Sequence, residues 1–221
     1  MAAQMVCAQN ISTAEVTSNS NYTRMNSVYV VGAHDEDPSE LADVKGSPYL
    51  YDNYRIGAIL QGDEVVAPNV ALRYNVHKDV FTGKVNLNAD DKKVHNVIKS
   101  TDYNIRIGSE LFTLGNGNTY YQVVHSGEKS KLLKKYSKSF HERIQATTSL
   151  TRAVPAMYKD KLAYYFVNAQ GVYIEAPTSK KKFLKLFGEQ QDMMKKFMKE
   201  NKTDLSKDAD LKELFEYYES L

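Results

Sequence analysis

Val70, Leu72, Tyr74 and Val76 alternate with Ala71, Arg73, Asn75 and His77. That two-residue period predicts a strand with one face turned to a core. Shorter runs of the same kind recur along the first three-quarters of the chain. Residues 27–31 predict a first strand, stopped by Gly32 and the acidic loop His34-Asp35-Glu36-Asp37-Pro38. Residues 55–60 turn at Gly62-Asp63 into Val65-Val66, and residues 103–107 form another short strand. The strongest hairpin signal is Leu111-Phe112-Thr113-Leu114, a Gly115-Asn116-Gly117-Asn118 turn, and residues 119–124. Residues 162–167 and 172–174, joined by Asn168-Ala169-Gln170-Gly171, predict a second hairpin. So many short strands at close spacing predict an antiparallel β-sandwich or barrel.

At Pro177 the period changes. Phe183, Leu186, Phe187, Met194, Phe197 and Met198 recur at three- and four-residue steps, which predicts a helix capped by Thr178 or Ser179 and kinked at Gly188. Asn201-Lys202-Thr203-Asp204 ends it. A second helix, capped by Ser206 or Asp208, carries Leu211, Leu214, Phe215, Tyr218 and Leu221 on one face. The stripes predict packing on the β body. The expected fold is mainly β, α+β overall: a flexible leader and signal-peptide remnant over 1–26, an antiparallel β domain over 27–176, and a C-terminal α-helical pair over 177–221.

The chain has 221 residues, enough to bury a core without disulfide or metal support. Its single cysteine, Cys7, excludes an internal disulfide framework and any multi-cysteine zinc site. Sixteen Tyr and eight Phe with no Trp make a strand-friendly aromatic set. No apolar run approaches the roughly 20 residues of a membrane-spanning helix, so no transmembrane span is expected. Val6-Cys7-Ala8 satisfies the small-residue rule of a signal-peptidase site, and Arg24 is the first basic residue. This predicts the tail of a signal peptide, with the mature chain beginning near Gln9.

The overall formal charge of +2 conceals a split. Residues 1–128 carry ten Lys/Arg against fifteen Asp/Glu, whereas 129–200 carry sixteen against six. Such a segment could serve as a patch for phosphate or nucleic acid, or be a solvated face. Arg143 and Arg152 are its only arginines, and base recognition favours Arg. Nucleic acid is therefore not the favoured partner.

Familiar chemistry motifs fail on inspection. There is no G-x-S-x-G elbow and no P-loop. His141-Glu142 begins H-E-x-x-H, but Gln145 stands where the second ligand belongs. Asn86-Leu87-Asn88-Ala89-Asp90 imitates a calcium loop but has Asp91 and Val97 where Gly and an acid are required. No catalytic residue, metal site or cofactor is predicted.

The densest polar-aromatic cluster joins Tyr49-Leu50-Tyr51-Asp52-Asn53-Tyr54 to residues 73–79. With Leu72 and Tyr74 facing inward, Arg73, Asn75 and His77 would share the opposite face as a polar row. Tyr51, Arg73, Asn75, His77 and Asp79 are thus the ligand-binding candidates, for a glycan or a partner strand. An exposed face with cross-strand ion pairs is the ordinary alternative.

The motifs Gly46-Ser47-Pro48-Tyr49-Leu50 and Arg73-Tyr74-Asn75-Val76-His77-Lys78-Asp79, with Lys180-Lys181-Lys182 and Tyr217-Tyr218, resemble a pattern in uncharacterised exported β-rich proteins of Bacteroidetes bacteria. The resemblance spans residues 45–221 and implies compartment rather than activity. The expected function is a non-catalytic, exported binding or structural component of the cell envelope. It would lie in the periplasm or in association with the outer membrane, with a protein or glycan partner. The rivals are an extracytoplasmic hydrolase with dispersed Asp, Glu or His, and a Lys-rich binder of nucleic acid or an anionic surface.

Overall fold

The computed structural model describes residues 29–30, 44–90, 94–146 and 152–221. The signal-peptide remnant and leader, the acidic loop 34–38 and the rest of the predicted first strand lie outside them. Among the described residues, eleven strands form one sheet. They are β1 (Tyr29–Val30), β2 (Arg55–Gln61), β3 (Glu64–Asn75), β4 (Val80–Lys84), β5 (His95–Val97) and β6 (Tyr103–Ile107). Then follow β7 (Glu110–Gly115), β8 (Thr119–Ser126), β9 (Ser130–His141), β10 (Met157–Asn168) and β11 (Tyr173–Glu175). All pairings between them are antiparallel, in the order β1-β5-β4-β3-β2-β6-β7-β8-β9-β10-β11. The mainly β fold with a C-terminal helical pair is as the periodicity predicts. What the pattern left between sandwich and barrel is a single open sheet.

The sheet is strongly curled. β4 and β8 stand five places apart, about 24 Å if the sheet were flat. Yet the Phe81 and Tyr120 rings lie 4.8 Å apart, and Phe81 meets Phe112 of β7 at 5.2 Å. Tyr74 stacks on Phe81 at 4.3 Å. Curling brings these rings, with Ile59, Leu72, Ile105 and Ile107, into one dry core. The segment 44–50 bridges the curl. Lys45 exchanges backbone hydrogen bonds with Ala156 and Tyr158, and the Pro48 carbonyl accepts from Val76 and His77.

The helices run α1 (Lys180–Phe183), a 3-10 stretch (Leu184–Gln190), α2 (Gln191–Glu200) and α3 (Asp208–Ser220). The kink falls at Gly188, whose φ of 53° and ψ of −120° break the helical ladder, as expected there. Ser179 occupies the N-cap position of α1 without a side-chain bond, and Lys207, not Ser206 or Asp208, precedes α3. Asp204 instead accepts from the Ser206 amide and hydroxyl, so Ser206 is spent on the preceding turn. Phe183, Phe187, Met194, Met198, Leu211, Leu214 and Phe215 close on Leu132 and Phe166 as a second core.

Candidate functional site

Both cores lie on the same face of the sheet, and a polar seam divides them. Phe112, Gln122, Lys134 and Tyr164 are successive cross-strand partners on β7, β8, β9 and β10, so all four side chains leave one face. Along β9, Tyr136 packs against the first core and Leu132 belongs to the second, with Lys134 between them.

Buried polar groups must be partnered, and a chain of contacts does so here. The Tyr51 hydroxyl donates to Glu110 Oε2, and Gln122 Nε2 donates to Glu110 Oε1 at 3.4 Å. Tyr136 donates to Gln122 Oε1 at 2.6 Å. Lys134 Nζ reaches Asp208 Oδ2 at 2.7 Å, and Tyr164 donates to Asp208 Oδ1 at 2.6 Å. The seam therefore ties β7–β10 to the first turn of α3.

The electrostatics keep the phenols and the lysine as donors opposite the Glu110 and Asp208 acceptors. Burial, then the bond to Asp208, holds the Tyr164 phenol far above the usual range. Burial likewise raises Tyr136 against the opposing pull of Lys134. For Lys134, burial works against the charge, but the hydrogen bond to Asp208 and the Tyr136 phenol outweigh it, and the net shift is upward. Burial pushes the Glu110 carboxyl up, with Lys134 in opposition. The protonated phenols and the pinned ammonium donate their hydrogen bonds within the seam, to Gln122 and to the Asp208 carboxylate.

At Tyr164 the seam opens into a cleft of about 330 Å³ between β10, the stretch after β11 and the loop before α3. Leu162, Pro177, Phe183 and Leu205 supply apolar walls, and Lys180 and Asp204 stand at its polar end. Lys180 Nζ donates to the Thr203 carbonyl at 2.7 Å, which fixes that end.

The five sequence candidates do not converge on the cleft. Tyr51 joins the seam through Glu110, with the Arg55 guanidinium 3.6 Å above its ring. Arg73 lies over the rings of Tyr49 and Tyr54, at 3.7 and 4.5 Å. Asn75 is buried, and its Oδ1 accepts from the Lys78 amide to close a turn. His77, beyond the end of β3, donates from Nδ1 to the Lys138 carbonyl at 3.0 Å. Asp79 accepts from the Tyr74 hydroxyl at 2.5 Å and the Tyr120 amide at 3.3 Å, and holds Lys99 at 2.8 Å. Each residue of the row Arg73–Asn75–His77 thus contacts the protein itself: Asn75 is buried, Arg73 half-buried and His77 exposed. Ala71, on the same face as the row, is as fully buried as Leu72 on the other.

Compared with protein families, curated proteins and solved structures, the chain matches none of them. The seam residues Glu110, Gln122, Lys134, Tyr136, Tyr164 and Asp208 lie outside the sequence-predicted site. Their one sequence signal is the i, i+2 spacing of Lys134 and Tyr136, masked by the adjacent Leu132-Leu133 and Lys134-Lys135 pairs. The lysines of β9 also fail to form one patch. Lys134 and Lys138 face the seam side, the latter 3.1 Å from Asp160, while Lys131 and Lys135 leave the opposite face.

A second polar knot fastens the C-terminus. Glu219 accepts from the amides of Lys129 and Ser130 and from the Ser130 hydroxyl, each at 2.9 Å. Burial opposes its ionisation, but these hydrogen bonds outweigh it and lower its pKa below the ordinary 4.5. A carboxylate with a depressed folded-state pKa stabilises the fold above its unfolded value, and that contribution is lost as pH falls through the folded one. Chemical denaturation of the natural chain and of Glu219→Gln should therefore show the widest stability gap above about pH 4.5. The gap should close as the pH drops further. A gap independent of pH would assign Glu219 a packing role alone.

Proposed function

We propose that this chain is a non-catalytic binding component of a bacterial cell envelope, and that it takes a protein or glycan partner at the cleft beside Tyr164. The cleft carries the reading. It combines apolar walls with a few oriented polar groups, the usual make-up of a recognition site, at a volume within the range of small-ligand pockets. The Val6-Cys7-Ala8 motif, which satisfies the small-residue rule of a signal-peptidase site, supports the compartment. Leu162→Ser, at an exposed wall of the cleft, should abolish capture of the partner from envelope extracts while leaving the melting temperature within a few degrees. N-terminal sequencing of the native protein should start at or near Gln9; an intact Met1 in a cytosolic fraction would overturn export.

A second reading, binding to an anionic surface, is favoured by a groove on the outer side of the helices. Lys180, Lys181, Lys195 and Lys199 line it around Leu184 and Met198. If it operates, vesicles of anionic lipid should bind the protein with a steep salt dependence that Lys195→Glu/Lys199→Glu removes. Equal binding to neutral vesicles would sink it.

A further inference from the structure

β10 pairs with β9 over its whole length, but with β11 only across Tyr165, Phe166 and Val167. At its other end, Met157 is bridged by Lys45. Among the described residues, no strand pairs with the outer edge of β10 between these two points. The phase of that edge is set by its neighbours: the Tyr158 amide donates outward to Lys45, and the Tyr164 carbonyl accepts outward from Ala176. Backbone groups of antiparallel strands alternate in direction, so Asp160 and Leu162 also turn their amides and carbonyls outward. An unpaired edge of this kind is a template for another strand. From Tyr158 to Tyr164 it runs about 20 Å.

The side chains on either face of this edge differ in kind. Leu162 and Tyr164 face the helices and line the cleft, with Pro177, Phe183 and Leu205 opposite. Leu162 is 45% exposed, a large apolar side chain left open to solvent beside an apolar cavity. On the other face, Lys159 and Lys161 are exposed, and Lys135 is the cross-strand partner of Ala163.

We propose that the partner is an extended peptide segment of alternating apolar and acidic residues that adds as a strand to β10 between Lys45 and β11. Its apolar side chains enter the cleft beside Tyr164, and its carboxylates meet Lys159 and Lys161. Main-chain bonds to Asp160 and Leu162 supply sequence-independent affinity, and the two faces supply selectivity. This rests on the reading of the cleft as a binding site and names its occupant.

The test is selection of random decapeptides on the full chain, followed by titration of a selected peptide. Selected sequences should alternate apolar and acidic positions. N-methylation of the peptide at alternate residues on the β10-facing register should weaken binding roughly tenfold or more, since it deletes main-chain donors. Leu162→Pro removes one outward amide without touching the ladder to β9, a change edge strands accept, and should have the same effect. If that variant fails to fold, Lys159→Glu/Lys161→Glu, confined to exposed side chains, should still weaken the peptide severalfold. A selected ligand that Leu162→Ser disrupts but N-methylation does not would overturn strand addition and leave the cleft a binding site. No selectable ligand would overturn both. A concentration-dependent dimer broken by Leu162→Pro would mean that a second copy of the chain, not a partner peptide, occupies the edge, and would also overturn the proposal.

Discussion

Phe187→Asp should unfold the C-terminal helices, residues 180–220, and destabilise the sheet with them. The Phe187 ring is fully buried among Phe166, Phe183, Phe215 and Tyr218, at centroid distances of 6.2, 5.7, 5.7 and 4.9 Å. Losing a buried Phe costs about 3–5 kcal/mol before the charge is counted, and an unpaired buried carboxylate adds more. A typical domain has about 5–15 kcal/mol in total. The melting temperature should fall by at least about 10 °C. Truncation after Pro177 should do more, because it also uncovers Leu132 and Phe166 of the sheet. Charge reversal at Lys196, which is exposed and pairs only loosely with Glu200 at 4.0 Å, should leave the melt unchanged. Should the truncated protein melt like the full chain, the helices would be an independent arm rather than the second half of the core.

Gly57→Ala should be nearly as damaging, by a different route. β2 is clasped on both sides, by β3 and β6. A Cβ at Gly57 would stand 2.3 Å from the Arg106 carbonyl oxygen and 2.8 Å from Leu72 Cδ1. Leu72 could rotate, but the Arg106 carbonyl belongs to the β6 ladder and cannot move without breaking it. The bulge that follows Gly57 in the β2–β3 register shows how tightly the chain is held there. Overpacking of this kind costs about 1–3 kcal/mol where side chains yield, and more where backbone must. Gly62→Ala is the contrast: its Cβ would meet nothing, and only its φ of +58° resists substitution, a cost of about 1–2 kcal/mol. Urea titration of the two variants should rank Gly57→Ala as the less stable. The reverse order would mean that β6 can shift.

The site was less legible than the fold. Asp79 was singled out as a ligand contact, and it is a hub, but for Tyr74, Tyr120 and Lys99 within the protein. Those partners come from three separated parts of the chain, and no local pattern relates them. Lys134 carried a charge that suggested solvent. Its neighbours across the sheet, Gln122 and Tyr164, and the Asp208 carboxylate from a helix about seventy residues on, make it a half-buried ion-pair partner instead. β9 was invisible as a strand for the same reason. Ser130-Lys131-Leu132-Leu133-Lys134-Lys135-Tyr136 has no two-residue period, because both of its faces are used and each is partly polar.

Local chemistry alone determined the hairpins at Gly62-Asp63 and at residues 115–118, the strand at 103–107, the kink at Gly188 and the apolar stripe of the helices. Each depends on turn geometry, glycine freedom or side-chain period within a few residues of the chain. Tertiary structure decided the rest. The curl that carries Phe81 to Tyr120 and the seam between two cores both join residues distant in sequence. Hydrophobic burial rewards such contacts through surface area, which is indifferent to sequence separation and leaves no periodic trace along the chain.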